Sequence, residues 1–94
     1  MPHTDLSVAH ALVKAGNVRA THTAEKCGAA LNFNFDDMVA VVLSLTRKHF
    51  YKSMTAYADH TTWHDVYKVM LDDVDLYIKL IVSDGVLIVS FKNI

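Results

Sequence analysis

"DLYIKLIVSDGVLIVSFK", residues 75–92, is the stretch on which the fold turns. Two runs rich in β-branched and aromatic residues flank Asp84-Gly85, a dipeptide that marks a two-residue type I′ hairpin turn. A two-residue turn at 84 and 85 pairs residues whose numbers sum to 169. Ile78 then faces Phe91, Leu80 faces Val89 and Val82 faces Leu87, an all-apolar face suited to a core under helices. The other face pairs Ile81 with Ile88, Lys79 with Ser90 and Tyr77 with Lys92. The Cβ atoms of Tyr77 and Lys92 are then about 5 Å apart. From the hairpin alone this is an ordinary surface pair. It is also a phenol and an ammonium presented together, groups that move a proton and hold a phosphate.

Working outward, "HFYKSMTAY" (49–57) alternates, with Phe50, Lys52, Met54 and Ala56 on one side and Tyr51, Ser53, Thr55 and Tyr57 on the other. "ADHTT" (58–62) reads as a turn or loop, and "WHDVYKVM" (63–70) as a further strand. The first half reads as helical. "TDLSVAHALVKAG" (4–16) has Thr4 or Asp5 as cap, Leu6, Ala9, Leu12 and Val13 at helical spacing, and Gly16 to end it. "NVRAT" (17–21) suits a short edge strand. "THTAEKCGAALNF" (21–33) is a second helix capped by Thr21 or Thr23. "NFDDMVAVVLSLT" (34–46) is a third, its aspartates matching the helix dipole and Met38, Val41, Val42 and Leu45 forming an apolar stripe. Helices followed by strands predict an α+β fold, residues 1–94 forming one domain: an antiparallel β-sheet with the N-terminal helices on one face and the other face open.

The composition, 52% hydrophobic and 20% charged, is that of a globular chain. No apolar run approaches the roughly 20 residues of a membrane helix. The polar N-terminus lacks a signal core, so the expected location is cytoplasmic and no membrane partner is expected. Cys27 is alone and forms no internal disulfide; it reads as a small core or half-buried residue. Net charge is −1, unlike the basic balance usual in nucleic-acid binders. Charge position matters more, however. Asp36 and Asp37 sit at a helix start and Asp72, Asp73, Asp75 and Asp84 at turns, whereas Lys52, Lys79 and Lys92 fall inside strands. A neutral molecule with a local basic face is the expectation.

The strings "PHT" from Pro2, "LVKAGNVR" from Leu12, "FDDM" from Phe35, "FYKSMT" from Phe50, "DHTTWHDVY" from Asp59 and "VLIVSFK" from Val86 span nearly the whole chain. Through them the sequence resembles the motility quorum-sensing regulator toxins, endoribonucleases of type II toxin–antitoxin systems. The resemblance implies a RelE-like toxin fold and ribosome-independent cleavage of mRNA at sites beginning GC. It further implies a cognate antitoxin that neutralises the protein and carries it to operator DNA, so that DNA is contacted only through the antitoxin. Catalytic candidates carried over are Lys52, Tyr77 and Lys92; Tyr51 and Met54 match positions that hold RNA, and Lys79 joins them as a substrate-binding candidate on the same sheet. Where relatives carry a glutamine after the tryptophan, this chain has His64.

RNA cleavage without metal or cofactor needs a base for the 2′-hydroxyl, cations for the phosphorane and an acid for the departing 5′-oxygen, and leaves 2′,3′-cyclic phosphate and 5′-hydroxyl ends. Lys52 and Lys92 suit charge stabilisation, because an unperturbed lysine, pKa about 10.4, is a poor base at neutral pH. Tyr77 suits phosphate orientation or proton transfer. His64 has a free pKa of about 6.5, which fits acid–base work; otherwise it is a surface histidine beside Trp63. The H-x-x-x-H spacing of His60 and His64 lacks an evident third zinc ligand. Trp63 and Tyr67 share a strand face and read as core or rim, or as a base-stacking pair. The alternative to an enzyme is a non-enzymatic module acting as co-repressor with the antitoxin.

Overall fold

The computed structural model describes residues 5–55 and 62–94. Asp5 caps α1 (Leu6–Lys14), its carboxylate accepting from the Ser7 amide at 3.0 Å. Gly16, just beyond the helix, has φ +86°, the left-handed backbone that ends α1 as expected. Then follow β1 (Val18–Ala20), α2 (His22–Ala30) with Thr21 as cap, and α3 (Phe35–Ser44). Asn34 and Asp37 form a reciprocal capping box at the start of α3, which satisfies two backbone amides that the helix leaves unpaired. A short 3₁₀ turn (Arg47–His49) leads into β2 (Phe50–Thr55), β3 (Trp63–Leu71), β4 (Val74–Val82) and β5 (Val86–Asn93).

The strands form one sheet in the order β1-β5-β4-β3-β2. The four long strands are antiparallel, as expected, and β1 adds to β5 in parallel, so the sheet is mixed and the fold is α+β. One face carries Tyr67, Val69, Leu76, Ile78, Leu80, Val86, Ile88 and Phe91. It is buried under Leu6, Ala9 and Val13 of α1, Ala24 of α2, and Met38, Val41, Val42 and Leu45 at α3. The Phe33 ring packs on Phe91 with centroids 5.3 Å apart. His10 reaches from α1 to the Val42 carbonyl of α3 at 2.9 Å, tying two helices together.

Two irregularities correct the expected register. Val82 pairs with Val86, so the β4–β5 connection is the three-residue loop Ser83, Asp84, Gly85, and neither Asp84 nor Gly85 has positive φ. Gly85 serves close approach instead: a Cβ there would stand 3.0 Å from the Asn17 carbonyl oxygen, which also accepts from the Val86 amide at 2.8 Å. The type I′ pattern of two positive φ angles occurs one hairpin earlier, at Asp72 (49°) and Asp73 (65°), between paired Leu71 and Val74.

The longer loop is then offset by a bulge. Lys79 pairs with Ser90 but Leu80 pairs with Ile88, leaving Val89 as the extra residue. Beyond the bulge the expected pairs return: Ile78 with Phe91 and Tyr77 with Lys92. Between bulge and loop the faces of β5 exchange. Val86 and Ile88 are buried, whereas Val82, Leu87 and Val89, expected in the core, are half-buried. Thr21 bonds to the bulge: its amide donates to Ile88 O at 3.0 Å and its hydroxyl to Val89 O at 3.2 Å, while the hydroxyl accepts from the Ala24 amide.

A second bulge lies in β2. Phe50 pairs with Tyr67 and Lys52 with Val66, leaving Tyr51 extra. Phe50 and Lys52, expected on one face, are therefore on opposite faces. The Phe50 ring meets Tyr67 edge-on in the core, centroids 5.7 Å apart, and Lys52 stands with Met54 on the other side.

Candidate functional site

The sheet face away from the helices collects the residues singled out by sequence. Cross-strand pairs share a face, so the register defines rows. One row runs Lys52, Val66, Lys79, Ser90; the next runs Lys68, Tyr77, Lys92; Met54 lies beside His64. Tyr51 joins them, because its bulge turns it toward Lys68, whose ammonium lies 3.8 Å from the ring centroid. Lys52 is 5.3 Å from the same ring. Tyr77 is flanked likewise by Lys92 at 5.1 Å and Lys79 at 5.9 Å. Each of the two tyrosines thus has two lysine ammonium groups within about 6 Å of its ring, contacts that favour cations on this face.

Val66, on this face, is fully inaccessible, although it lies outside the helix-covered core. Its cross-strand neighbours are Lys52 and Lys79, and the aliphatic stems of such lysines cover an apolar floor while their ammonium groups reach water.

Lys68 escaped the sequence reading, as did Arg19. Lys68 has the parity of His64 and Val66 along β3, so alternation alone would have placed it here. Arg19 pairs with Leu87 at the opposite edge of the same face. Five of the chain's nine lysines and arginines (Arg19, Lys52, Lys68, Lys79 and Lys92) therefore share this face. Among the described residues none of them forms an ion pair; the pair seen is Arg47 with Asp5, elsewhere. Of the described carboxylates, Asp75, paired with Met70, is on this face at its far end. The others lie at caps, turns and helix surfaces or, for Asp65, on the buried face, where Ser53 donates to it at 2.6 Å. A net charge of −1 thus hides a cationic sheet face.

His64 is half-buried. Burial, and then the nearby Lys79 ammonium, hold its pKa below the ordinary histidine value of 6.5. It is neutral at pH 7 and able to accept a proton. Tyr67 is not placed to stack on a base: it is buried in the core, where burial and the Asp65 and Asp5 carboxylates push its pKa up to about 12. Trp63 lies at the partly exposed end of the same buried-face row. His60, the other half of the H-x-x-x-H pair, lies outside the described residues. Among the described residues no three histidine, cysteine or carboxylate side chains are grouped to hold a metal ion.

The sequence model of the family described as "Motility quorum-sensing regulator, toxin of MqsA" matches residues 1–93. The chain belongs to the motility quorum-sensing regulator toxins. A curated member of that toxin family, the mRNA interferase toxin MqsR of Escherichia coli (strain K12), is 48% identical over 92 residues, covering 98% of this chain and 94% of its own. The toxin family resemblance read from the sequence thus extends over the whole sheet face just described.

Proposed function

We propose that this protein is a ribosome-independent mRNA endoribonuclease that cleaves at sites beginning GC. We further propose that it is neutralised by a cognate antitoxin, through which alone it meets DNA. The observation that carries the reading is the cationic face: four lysines in pairs about two tyrosines, with a neutral histidine beside them, in a chain 48% identical to an mRNA interferase toxin. No helix among the described residues is long and apolar enough to cross a membrane.

Geometry suggests a division of labour. Val66 pairs with Lys79; His64 lies two residues along β3 from Val66, and Tyr77 two residues along β4 from Lys79. Because the strands are antiparallel, His64 and Tyr77 fall on opposite sides of Lys79, each about 7 Å away along the strands. A phosphate held over Lys79, with Lys52 and Lys92 completing its cradle, has a base on one side and a phenol on the other. In-line displacement needs that, since the attacking and departing oxygens lie on opposite sides of phosphorus. His64 takes the 2′-hydroxyl proton, the 2′-oxygen bonds to phosphorus, the P–O5′ bond breaks, and Tyr77 gives its proton to the 5′-oxygen. The products are a 2′,3′-cyclic phosphate and a 5′-hydroxyl. Tyr51, gripped by Lys68, and Met54 offer surfaces for a base.

The test is incubation of purified protein with a messenger transcript rich in GC sites, in EDTA. Discrete fragments with 2′,3′-cyclic phosphate ends are expected. Intact RNA would leave the chain a non-enzymatic partner of its antitoxin.

A further inference from the structure

Beyond the lysine rows, at the end of the same sheet face, lies a groove of about 580 Å³ between the α1–β1 connection and the β4–β5 loop. This is within the roughly 300–1,000 Å³ of small-ligand sites. Ile81 and Leu87, a cross-strand pair, give it a half-buried apolar floor. Arg19, the partner of Leu87 on β1, lines it too, as do Asn17, Ser83 and Asp84. In the sheet register the groove adjoins the candidate site. The Ile81–Leu87–Arg19 row is two residues along β4 from the Lys79–Ser90 row, about 7 Å, and three along β5, where the bulge intervenes.

We propose that this groove is a subsite for one RNA nucleotide on the 5′ side of the cleaved phosphate. The polarity rests on the function proposed above. His64 lies on the groove side of Lys79 and Tyr77 on the far side, so the ribose whose 2′-hydroxyl meets His64 enters from the groove. The nucleotide bridging the two rows has its phosphate at the Arg19 guanidinium, whose planar fork suits a phosphate. Its base lies on Ile81 and Leu87. Asp84 repels a phosphate and accepts from a base amino group, which sets the order of the two ends. Glu25, which lines a second, smaller recess with Arg19, forms no ion pair with it.

The experiment measures binding of short single-stranded oligonucleotides carrying a single 2′-deoxy substitution at the mapped cleavage position, trimmed from either end. Arg19→Ala should weaken binding of the longest probe about 10-fold, and Arg19→Lys should restore part of the loss. Trimming from the 5′ end should abolish the difference between wild type and Arg19→Ala at one step; trimming from the 3′ end should preserve it. Equal affinities at every length, a difference that survives on the shortest probe, or one lost by 3′ trimming each overturn the subsite. Where wild type cleaves nothing, a uniformly 2′-O-methylated strand replaces the probe. A 10-fold deficit of Arg19→Ala on it supports an RNA-binding groove while the nuclease reading fails, and no deficit overturns the groove as well.

Discussion

The two faces of this sheet are made by the same four long strands and share almost nothing else. The helix-covered face carries Tyr67, Leu76, Ile78, Leu80, Ile88 and Phe91, each at most 1% exposed. The opposite face carries lysines over a thin apolar floor. One face holds the fold together; the other gathers like charge that the fold must tolerate. The tolerance is local. Ammonium groups lie over tyrosine rings, and apart from Asp75 at its far end the described carboxylates lie off this face. The difference teaches that stability and function here are separable by the parity of a residue along its strand.

The sharpest way to break that comparison is to show that a core-face change spares stability or that an open-face change destroys it. Phe91 is fully buried against Phe33, so Phe91→Ala should lose about 3–5 kcal/mol of stability. Urea denaturation measures it, and a loss below about 1 kcal/mol would mean that the core is not where the contacts put it.

Its neighbour Lys92 points the other way. Lys92→Ala should shift stability by about 0.5 kcal/mol or less. Removing a cation that stabilises a transition state typically lowers rate by about 10²–10³-fold, and Lys52→Ala should behave alike. Growth arrest on expression, read beside thermal melts of the same variants, separates the two effects. Full toxicity in either variant removes that lysine from the reaction.

His64 tests whether the open face does acid–base chemistry or only holds RNA. With its pKa below 6.5 in the free protein, the base form is present at neutral pH and is lost as pH falls. The rate expressed as kcat/KM should therefore rise with pH through a limb below that ordinary value. The kcat limb should lie higher, because a bound phosphodiester favours imidazolium. His64→Gln should abolish both limbs and slow cleavage about 10²-fold. Superimposable profiles would reassign His64 to positioning.

The sequence reveals most where periodicity is strong. The three helices, their caps at Thr21 and within reach of Asp5, the strand runs and the Tyr77–Lys92 pair all follow from local pattern. What it hides is the set of one-residue irregularities. Asp84-Gly85 looks like a type I′ turn because glycine tolerates positive φ. The glycine is there because the Asn17 backbone, distant in sequence, packs against it. The loop is one residue longer than expected, and the bulge at Val89 removes that residue from the register. The two departures cancel at Tyr77, so the site pair follows even from a register that is wrong nearer the loop. The β2 bulge is similar: alternation from core-facing Phe50 sends Lys52 and Met54 to the core side, and only the extra residue Tyr51 returns them to the face of Lys68 and His64. Such features rest on tertiary contacts that a single strand does not encode.

The smallest expected effect concerns the device that keeps the faces in order. Thr21 has one hydroxyl serving two ends: it caps α2 through the Ala24 amide and donates to the carbonyl of Val89, the bulge residue. Thr21→Val keeps the shape and removes both bonds. Loss of the cap and of one bonded carbonyl together should cost about 1–2 kcal/mol. If the bulge is held chiefly by Gly85 packing on Asn17, the register stays, and cleavage per folded molecule falls no more than about twofold. If Thr21 is what holds it, β5 slips by one residue. Lys92 then moves to the buried side, away from Tyr77, and activity falls with stability. Amide exchange at Ile88, Val89 and Ser90 reports the register directly. The Gly85 contact predicts protection unchanged at Ser90 and lost at most around Val89; loss along the whole strand would make Thr21 the keystone of the open face.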